Sequence, residues 1–412
     1  MTKIRKFWIV PLLMATAFGQ SSVNLKMLIA EARQNNLAIK AAERAIDTSR
    51  YGPAQASALP DTEVMVQQFA VGSPRPFAGY SNSDFAYIGF GASQELPYPG
   101  KRGLRANVAQ HEIAISSAEK NGVIWDVLTR LKLAYFHLAG SQQILSVLEK
   151  NQQTAEQIEQ ATEARYRVGE GTQEDVLRAQ LQRTKLLNEL SMQRRESAQA
   201  KVLLKTLLNR PPESPDLIVE PLAMRQLLDP GVLLKTLREK NPDLLISTER
   251  IAQGQVAVDL AKREKRPDFG VQYMWQHTAS NFRDYYMGTF SIKLPNRSRV
   301  RAMEGEAEAK LAQAQAEKEA RLKQMENDLG EQIAIVQTSE QQLKVYEDGL
   351  IPQSEAALNA GLAGYRAGKQ EYQGLLASFA DTLQLAVERE RTLAEHESAI
   401  ARIEGLIGEE LQ

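Results

Sequence analysis

The residues able to do chemistry in this 412-residue chain are few, and their spacing does not suit catalysis. His111, His137, His277 and His396 are scattered, with no HExxH or other metal-ligand spacing, and each reads as a surface or packing histidine. Gly89-Phe90-Gly91 lacks the rest of a dinucleotide fingerprint. Gly100-Lys101-Arg102 lacks the hydroxyl residue and upstream glycines of a phosphate loop. The absence of cysteine removes disulfides, thiolate metal sites and lipid attachment through an N-terminal Cys. No nucleophile has an evident base. These exclusions argue against an enzyme, and neither a cofactor nor a metal is expected. What recurs is of another kind: two proline–basic clusters, QELPYPGKRGLRA (94–106) and IKLPNRSRVRA (292–302), and two glycine turns, YRVGEGT (166–172) and YRAGKQ (365–370). Asp175 and Arg178, just past the first turn, read as an ion pair on a solvated helix face.

The elements that carry these groups are long. A formal charge of −1 with 25% charged residues gives no field for steering nucleic acid, and no such partner is expected. Aromatic residues make up 6%, and the richness in Ala, Gln, Glu and Leu is that of long helices. At the N-terminus, Lys3, Arg5 and Lys6 precede an apolar run from Phe7 to Phe18, with a small-residue cleavage site near Gly19. A signal peptide is expected over residues 1–19. The run is shorter than the roughly 20 residues a membrane helix needs, and no other stretch qualifies. If the exported chain enters a membrane, it must do so as β-structure.

The chain aligns with itself. Residues 28–46 lie over 233–252, Pro60-Asp61 over Pro267-Asp268, Leu96-Pro97 over Leu294-Pro295, and Tyr166-Arg167-Val168-Gly169 over Tyr365-Arg366-Ala367-Gly368. The boundary falls at the breaker cluster 211–215, which gives repeats of 20–212 and 213–412. Each repeat reads as a helix (about 24–58 and 231–264), a strand pair (about 60–96 and 268–294), a long helix (about 104–167 and 300–366) and a further helix (about 172–208 and 370–410). Both long helices are read as unbroken, and at 1.5 Å per residue each would reach on the order of 100 Å. In the third strand Phe269, Val271, Tyr273 and Trp275 alternate with Gly270, Gln272, Met274 and Gln276. In the fourth, Tyr286, Phe290, Ile292 and Leu294 oppose Thr289, Ser291 and Lys293. Val64 and Val66 lead toward Phe69, and Ala86, Ile88 and Phe90 alternate with Tyr87 and Gly89. Period two of this kind makes a sheet with two chemically different faces.

Four such strands cannot close a membrane barrel, which begins at about eight. Long amphipathic helices likewise need neighbours to cover their apolar stripes. A ring of chains satisfies both demands, although the number of copies stays open between two, three and four. The clusters at Leu96, Pro97, Pro99, Gly100, Lys101 and Arg102, and at Leu294, Pro295 and Arg297, then read as junctions where strand becomes helix. Proline ends the pairing, and the basic residues reach lipid headgroups or acidic neighbours. In the turns, glycine supplies the left-handed conformation that ends a helix, and Thr172 can cap the next one.

With its N-terminal signal, duplicated layout, SQELPYPGKRGLRA junction and paired YRxG turns, the chain resembles the TolC family of outer membrane efflux channels. The resemblance covers essentially the whole exported chain. It implies a homotrimer in the outer membrane of a Gram-negative bacterium, with a shared twelve-stranded β-barrel and a long periplasmic α-helical barrel of coiled-coil type. It also implies a passive exit duct for toxic metal ions or small molecules, docked to a periplasmic adaptor and an inner-membrane pump. The LPYPGKRG junction resembles members that accompany heavy-metal pumps of the resistance–nodulation–division class. The resemblance places the adaptor-docking tips at Tyr166, Arg167, Gly169, Gly171, Thr172, Tyr365, Arg366 and Gly368. Some members narrow the tunnel with aspartates just past the second turn. Here Gly374 and Ala377 stand in their place, so closure is expected to be apolar or to use Glu371. Loops 72–84 and 277–284, with Ser81 and Ser280, are expected outside the cell. The competing reading is a periplasmic coiled-coil scaffold or adaptor without a barrel, which would not need the two strand hairpins.

Overall fold

The computed structural model describes residues 23–69, 86–278 and 284–411. The expected signal peptide, loop 72–84 and residues Ser81 and Ser280 lie outside them. Element order is α1 (Leu25–Asn35), α2 (Leu37–Ser49), α3 (Gly52–Ser57), β1 (Glu63–Phe69), β2 (Tyr87–Leu96), α4 (Lys101–Arg167) and α5 (Gln173–Leu207). The second half continues with α6 (Pro230–Lys240), α7 (Pro242–Arg263), β3 (Asp268–Thr278), β4 (Tyr285–Lys293), α8 (Arg297–Val345), α9 (Ile351–Arg366) and α10 (Tyr372–Ile407).

The first helix of each repeat is divided rather than single. Asn36 stands between α1 and α2 in an extended conformation, and its side chain accepts from the N–H groups of Ala38 and Ile39. Asn241 does the same between α6 and α7, accepting from Leu244, while its amide donates to the Leu406 carbonyl at 2.7 Å. Both asparagines are buried, so each caps a new helix where water could not. The second long helix is not unbroken. Pro352, which the reading of a continuous segment overlooked, sits in the first turn of α9, after a wide π-helical turn at Tyr346–Leu350. Proline has no N–H for the ladder and its ring crowds the carbonyl four residues back; the widened turn absorbs that conflict.

Contacts divide the chain into two compact units, each with segments from both repeats. One comprises Met1–Asn35, Arg130–Arg225 and Thr338–Ser398. Its core gathers Ile144, Leu148 and Ile158 of α4, Leu186 and Leu190 of α5, Leu358 and Tyr365 of α9, and Tyr372, Leu375, Phe379, Leu383 and Val387 of α10. Steps of three and four put each set on one helix face. Gly140 lets α4 and α10 touch, since a Cβ there would lie 2.8 Å from the Cβ of Ala394. The same unit buries an ion pair: Arg225 Nε is 2.5 Å from a Glu397 oxygen, and its N–H donates to the other at 2.9 Å. His396 Nδ1 lies 3.1 Å from Glu397.

The other unit comprises Asn36–Thr129, Gln226–Gln337 and Ala399–Gln412. Its helical core joins Leu233, Leu237 and Leu244 to Met325, Leu329 and Val336, and to Ile400, Ile403 and Ile407. It also holds the sheet, a four-stranded antiparallel meander in the order β1-β2-β3-β4. Among the described residues no helix is long and apolar enough to cross a membrane, which says nothing of strands.

Burial alone would raise the Glu397 carboxyl, but the His396 contact and the Arg225 guanidinium outweigh it and hold it below its ordinary value. A carboxylate so lowered stabilises the fold above the ordinary glutamate value near 4.3, and that contribution is lost as pH falls through the depressed value. Arg225→Met should therefore shift acid unfolding, followed by circular dichroism, to higher pH. It should also cost about 1.5–3 kcal/mol at neutral pH, the worth of a charged hydrogen bond, since His396 and the backbone N–H still contact the carboxylate. An unchanged acid limb would show that the guanidinium does not hold the carboxylate.

Candidate functional site

The register fixes what each face of the sheet presents. Val66 pairs with Phe90, Phe90 with Trp275, and Trp275 with Tyr286. Val64–Ala92–Tyr273 forms a second row, and Val271–Phe290 and Phe269–Ile292 pair below. Side chains that face one another across antiparallel strands share a face, so these rows make one apolar surface, and Phe90–Trp275 and Phe269–Phe290 stack at 6.0 and 5.8 Å. The opposite face carries Glu63, Gln67, Ser93, Gln272, Gln276, Thr289 and Ser291 with Gly89 and Gly91, and among them Met65, Met274 and Met287. Gly91 is required there, since a Cβ would lie 2.9 Å from the Tyr273 carbonyl. Phe69 departs from expectation: an odd number of steps from Val64 and Val66, it falls on the polar face and stacks on Tyr87 at 5.8 Å. Asp284 closes the β3–β4 end, 3.1 Å from Trp275 Nε1 and 2.7 Å from His277. Apart from His277, Thr278 and Asp284, loop 277–284 lies outside the described residues.

The two junctions differ. After β2, Pro97 and Pro99 end the strand, Gly100 turns the chain at φ +94°, and α4 begins. Lys101 is 1% exposed, with its ammonium 2.9 Å from Glu264 and 3.0 Å from Asp268. Asp268 also accepts from the Tyr98 N–H at 2.7 Å, and Arg102 Nε donates to the Ser57 carbonyl at 2.5 Å. Arg105 adds a contact to Glu264 at 3.3 Å. Of the two ligands expected for these cations, Lys101 has acidic neighbours and is too buried to reach a headgroup. After β4, Leu294 is 81% exposed, Asn296 caps α8 by accepting from Ser298 and Arg299, and Arg297 opens the helix.

The two glycine turns share one geometry. Gly169 and Gly368 sit at φ +80° and +74°. Glu170 N–H bonds Arg165 O, and Lys369 N–H bonds Gly364 O, both at 2.9 Å. This six-to-one closure is the Schellman stop, and the residue at its left-handed position is glycine for want of a Cβ. Thr172 then caps α5 in a reciprocal pair with Asp175. Asp175 is thus a capping residue, and Arg178 pairs with Glu174 instead of with it. A Cβ at Gly171 would lie 3.2 Å from the Tyr166 backbone nitrogen.

Side chains separate the turns where the sequence pairs them. Tyr166 is 47% exposed and Arg167 is exposed beside Glu163, whereas Tyr365 is 2% exposed and Arg366 is exposed. Arg165, which the motif reading passed over, explains the difference. Its guanidinium lies 4.8 Å from the Tyr365 ring centre and donates to the carbonyls of Tyr365 (2.9 Å) and Glu170 (3.0 Å). It therefore ties both turns together. Tyr372 packs edge-on to Tyr365, and burial, with the nearby Tyr365 and Asp175, pushes its phenol up to about 12. Past the turn, Glu371, Gly374 and Ala377 are exposed, opposite buried Tyr372, Leu375 and Phe379. Gly374 has a local cause: a Cβ there would lie 2.9 Å from the Gln370 amide, which also packs on Gly361 and Gly364. The only sequence signal for Gln370 was its place between those glycines.

Among the described residues no group of three or more His, Asp or Glu side chains could hold a metal ion. His111 Nδ1 sits 3.0 Å from a Glu249 carboxylate oxygen, a contact with a single carboxylate.

Lys101→Met should cost about 3–5 kcal/mol in denaturant unfolding, by taking the buried cation from Asp268 and Glu264, which then keep the Tyr98 N–H and Arg105. Arg297→Met should change stability by no more than about 0.5 kcal/mol. Equal effects would show that the burial of Lys101 carries no weight.

Residues 28–210 match the outer membrane efflux protein family. The outer-membrane channel OprN shares the fold with a TM-score of 0.80 at 18% identity, over 94% of this chain and 90% of that one. VceC of Vibrio cholerae does so at 0.77 and 18%, covering 94% and 97%. CusC does so at 0.78 and 14%, covering 94% and 92%. Comparison with curated proteins gives no match. Residues 28–210 are thus similar to the outer membrane efflux protein family, and over nearly all of its length the chain has the fold of these outer-membrane channels.

Proposed function

We propose that three copies of this chain form an outer membrane channel, the passive exit duct of a tripartite efflux system. The sheet is the observation that carries the reading. All four strands turn a run of apolar residues to one face, the other face is mixed, with polar residues and glycines beside Met65, Met274 and Met287, and among the described residues β1 and β4 each keep an unpaired edge. Such a sheet suits lipid outside and water within only when other copies close it. Three copies give twelve strands. A barrel-free scaffold would gain nothing from an apolar face of this extent.

In this reading residues 1–19 direct export, and the helices line a periplasmic duct. The duct meets a periplasmic adaptor and an inner-membrane pump of the resistance–nodulation–division type. The pump supplies the energy, and the cargo is toxic metal ions or small molecules. The turns at Gly169 and Gly368 are the docking tips, with Tyr166, Arg167, Gly171, Thr172 and Arg366 on their surface. Tyr365 acts from beneath, under Arg165. Glu371, Gly374 and Ala377 form the exposed strip of α10 that would face the constriction.

In a strain without a redundant homologue, deletion should sensitise cells to an exported metal, dye or detergent, and the wild-type gene should restore resistance. Gly169→Trp and Gly368→Trp should insert and assemble but restore at most about a tenth of it, because bulk at the turn blocks close backbone approach. Gly169→Asn, which tolerates the left-handed conformation, should restore most of it. Full resistance with both tryptophan variants would contradict the docking assignment. An unchanged sensitivity profile on deletion would contradict the duct itself.

A further inference from the structure

The two proline–basic junctions match in sequence and differ in how their cations are spent. At the first, Lys101, Arg102 and Arg105 are all engaged within the chain. At the second, none of the guanidinium groups of Arg297, Arg299 and Arg301 has a carboxylate or hydrogen-bond partner among the described residues. Arg297 and Arg301 are four residues apart, on one side of α8, and line a cleft of about 380 Å³ with Lys265, Pro295, Val300 and Glu304. Glu304 is already paired with Lys265 at 2.7 Å, so the cleft keeps two unbalanced positive charges. The N–H groups of Ser298 and Arg299 are capped by Asn296. The side chains, not the helix end, are what is left to be satisfied.

The surface beside the cleft narrows the choice of ligand. Phe290 and Ile292 lie on the apolar face of the sheet and Leu294 follows its last strand, all exposed, and Leu294 is three residues before Arg297. A ligand that covers both surfaces must be apolar at one end and anionic at the other. Guanidinium forks match phosphate oxygens in pairs, and the cleft falls within the range of small-molecule sites, which begins at about 300 Å³. We propose that Arg297 and Arg301 hold the phosphate of an anionic glycerophospholipid whose acyl chains lie on the apolar face at Ile292 and on Leu294. The proposal rests on the membrane-channel reading and adds to it a headgroup site at the second junction alone.

The test uses the full channel purified in mild detergent, with lipid retention read by native mass spectrometry. The wild-type channel should retain dioleoyl phosphatidylglycerol in preference to the phosphatidylcholine of the same chains. Arg297→Gln with Arg301→Gln should weaken that retention by about thirtyfold, the share of two basic residues near a membrane surface. Its assembly mass should be unchanged. Arg194→Gln, at an exposed pair with Glu149, should retain lipid as the wild type does. Retention unchanged in the double variant would overturn the proposal. So would displacement of the lipid by an equal concentration of inorganic phosphate, which would mark a free-anion site. Loss of assembly with lipid retention intact would assign the arginines to a second copy of the chain. Membrane fractionation of the wild type separates the two readings: absence from the outer membrane fails the channel and this site together, whereas an inserted channel indifferent to lipid charge fails only the site.

Discussion

Among the described residues, the N–H and C=O groups along the outer edges of β1 and β4 have no strand beside them. Hydrocarbon offers such groups no partner, and each one left bare in it is costly. In the proposed channel this constraint decides most of what the chain must be. The apolar face built by Val66, Phe90, Trp275 and Phe290 draws the sheet toward lipid, and the bare edges forbid it to stay there alone. Only further copies, edge to edge and antiparallel, satisfy both. On the other face, Gly89 and Gly91 make room for the Met274 side chain, which packs over them.

Given that sheet, the remaining polar groups fix directions. Lys101 is neutralised where β2 gives way to α4, and through Asp268 it ties the start of α4 to the start of β3. One buried ammonium thereby joins elements from both repeats. Arg165 plays a similar part in the other unit, binding the Tyr365 carbonyl and covering its ring, so that two glycine turns distant in sequence become one surface. In both cases a cation serves geometry first. The arginines after β4 differ: their guanidinium groups have no carboxylate or hydrogen-bond partner among the described residues.

Much of this was legible in the sequence, and the limits have physical causes. Period two in 269–276 and 286–294 fixed the faces because side-chain alternation is insensitive to context. The glycine turns were legible because a left-handed stop has few alternatives to glycine. Phe69 was misplaced because hydropathy was followed instead of parity. The breaks at Asn36 and Asn241 were missed because one asparagine reads as a surface residue until its burial is known, and the break at Pro352 because a proline in an otherwise helical run was passed over. Asp175 and Arg178 fit a helix pair by spacing, yet Thr172 and Glu174 compete for them and win by local geometry. The contrast between Tyr166 and Tyr365 had no sequence signal at all. Identical YRxG motifs differ in burial because only Tyr365 lies beneath Arg165.

The claim that carries the rest is that the sheet is closed by copies of itself in a membrane. The most direct test is the native mass of the protein extracted from purified outer membranes in mild detergent, corrected for bound detergent. The account predicts three protomers. A soluble monomer or dimer, absent from the outer membrane fraction, would contradict it: the strand pairs would then not span lipid, and the free edges of β1 and β4 would need another explanation.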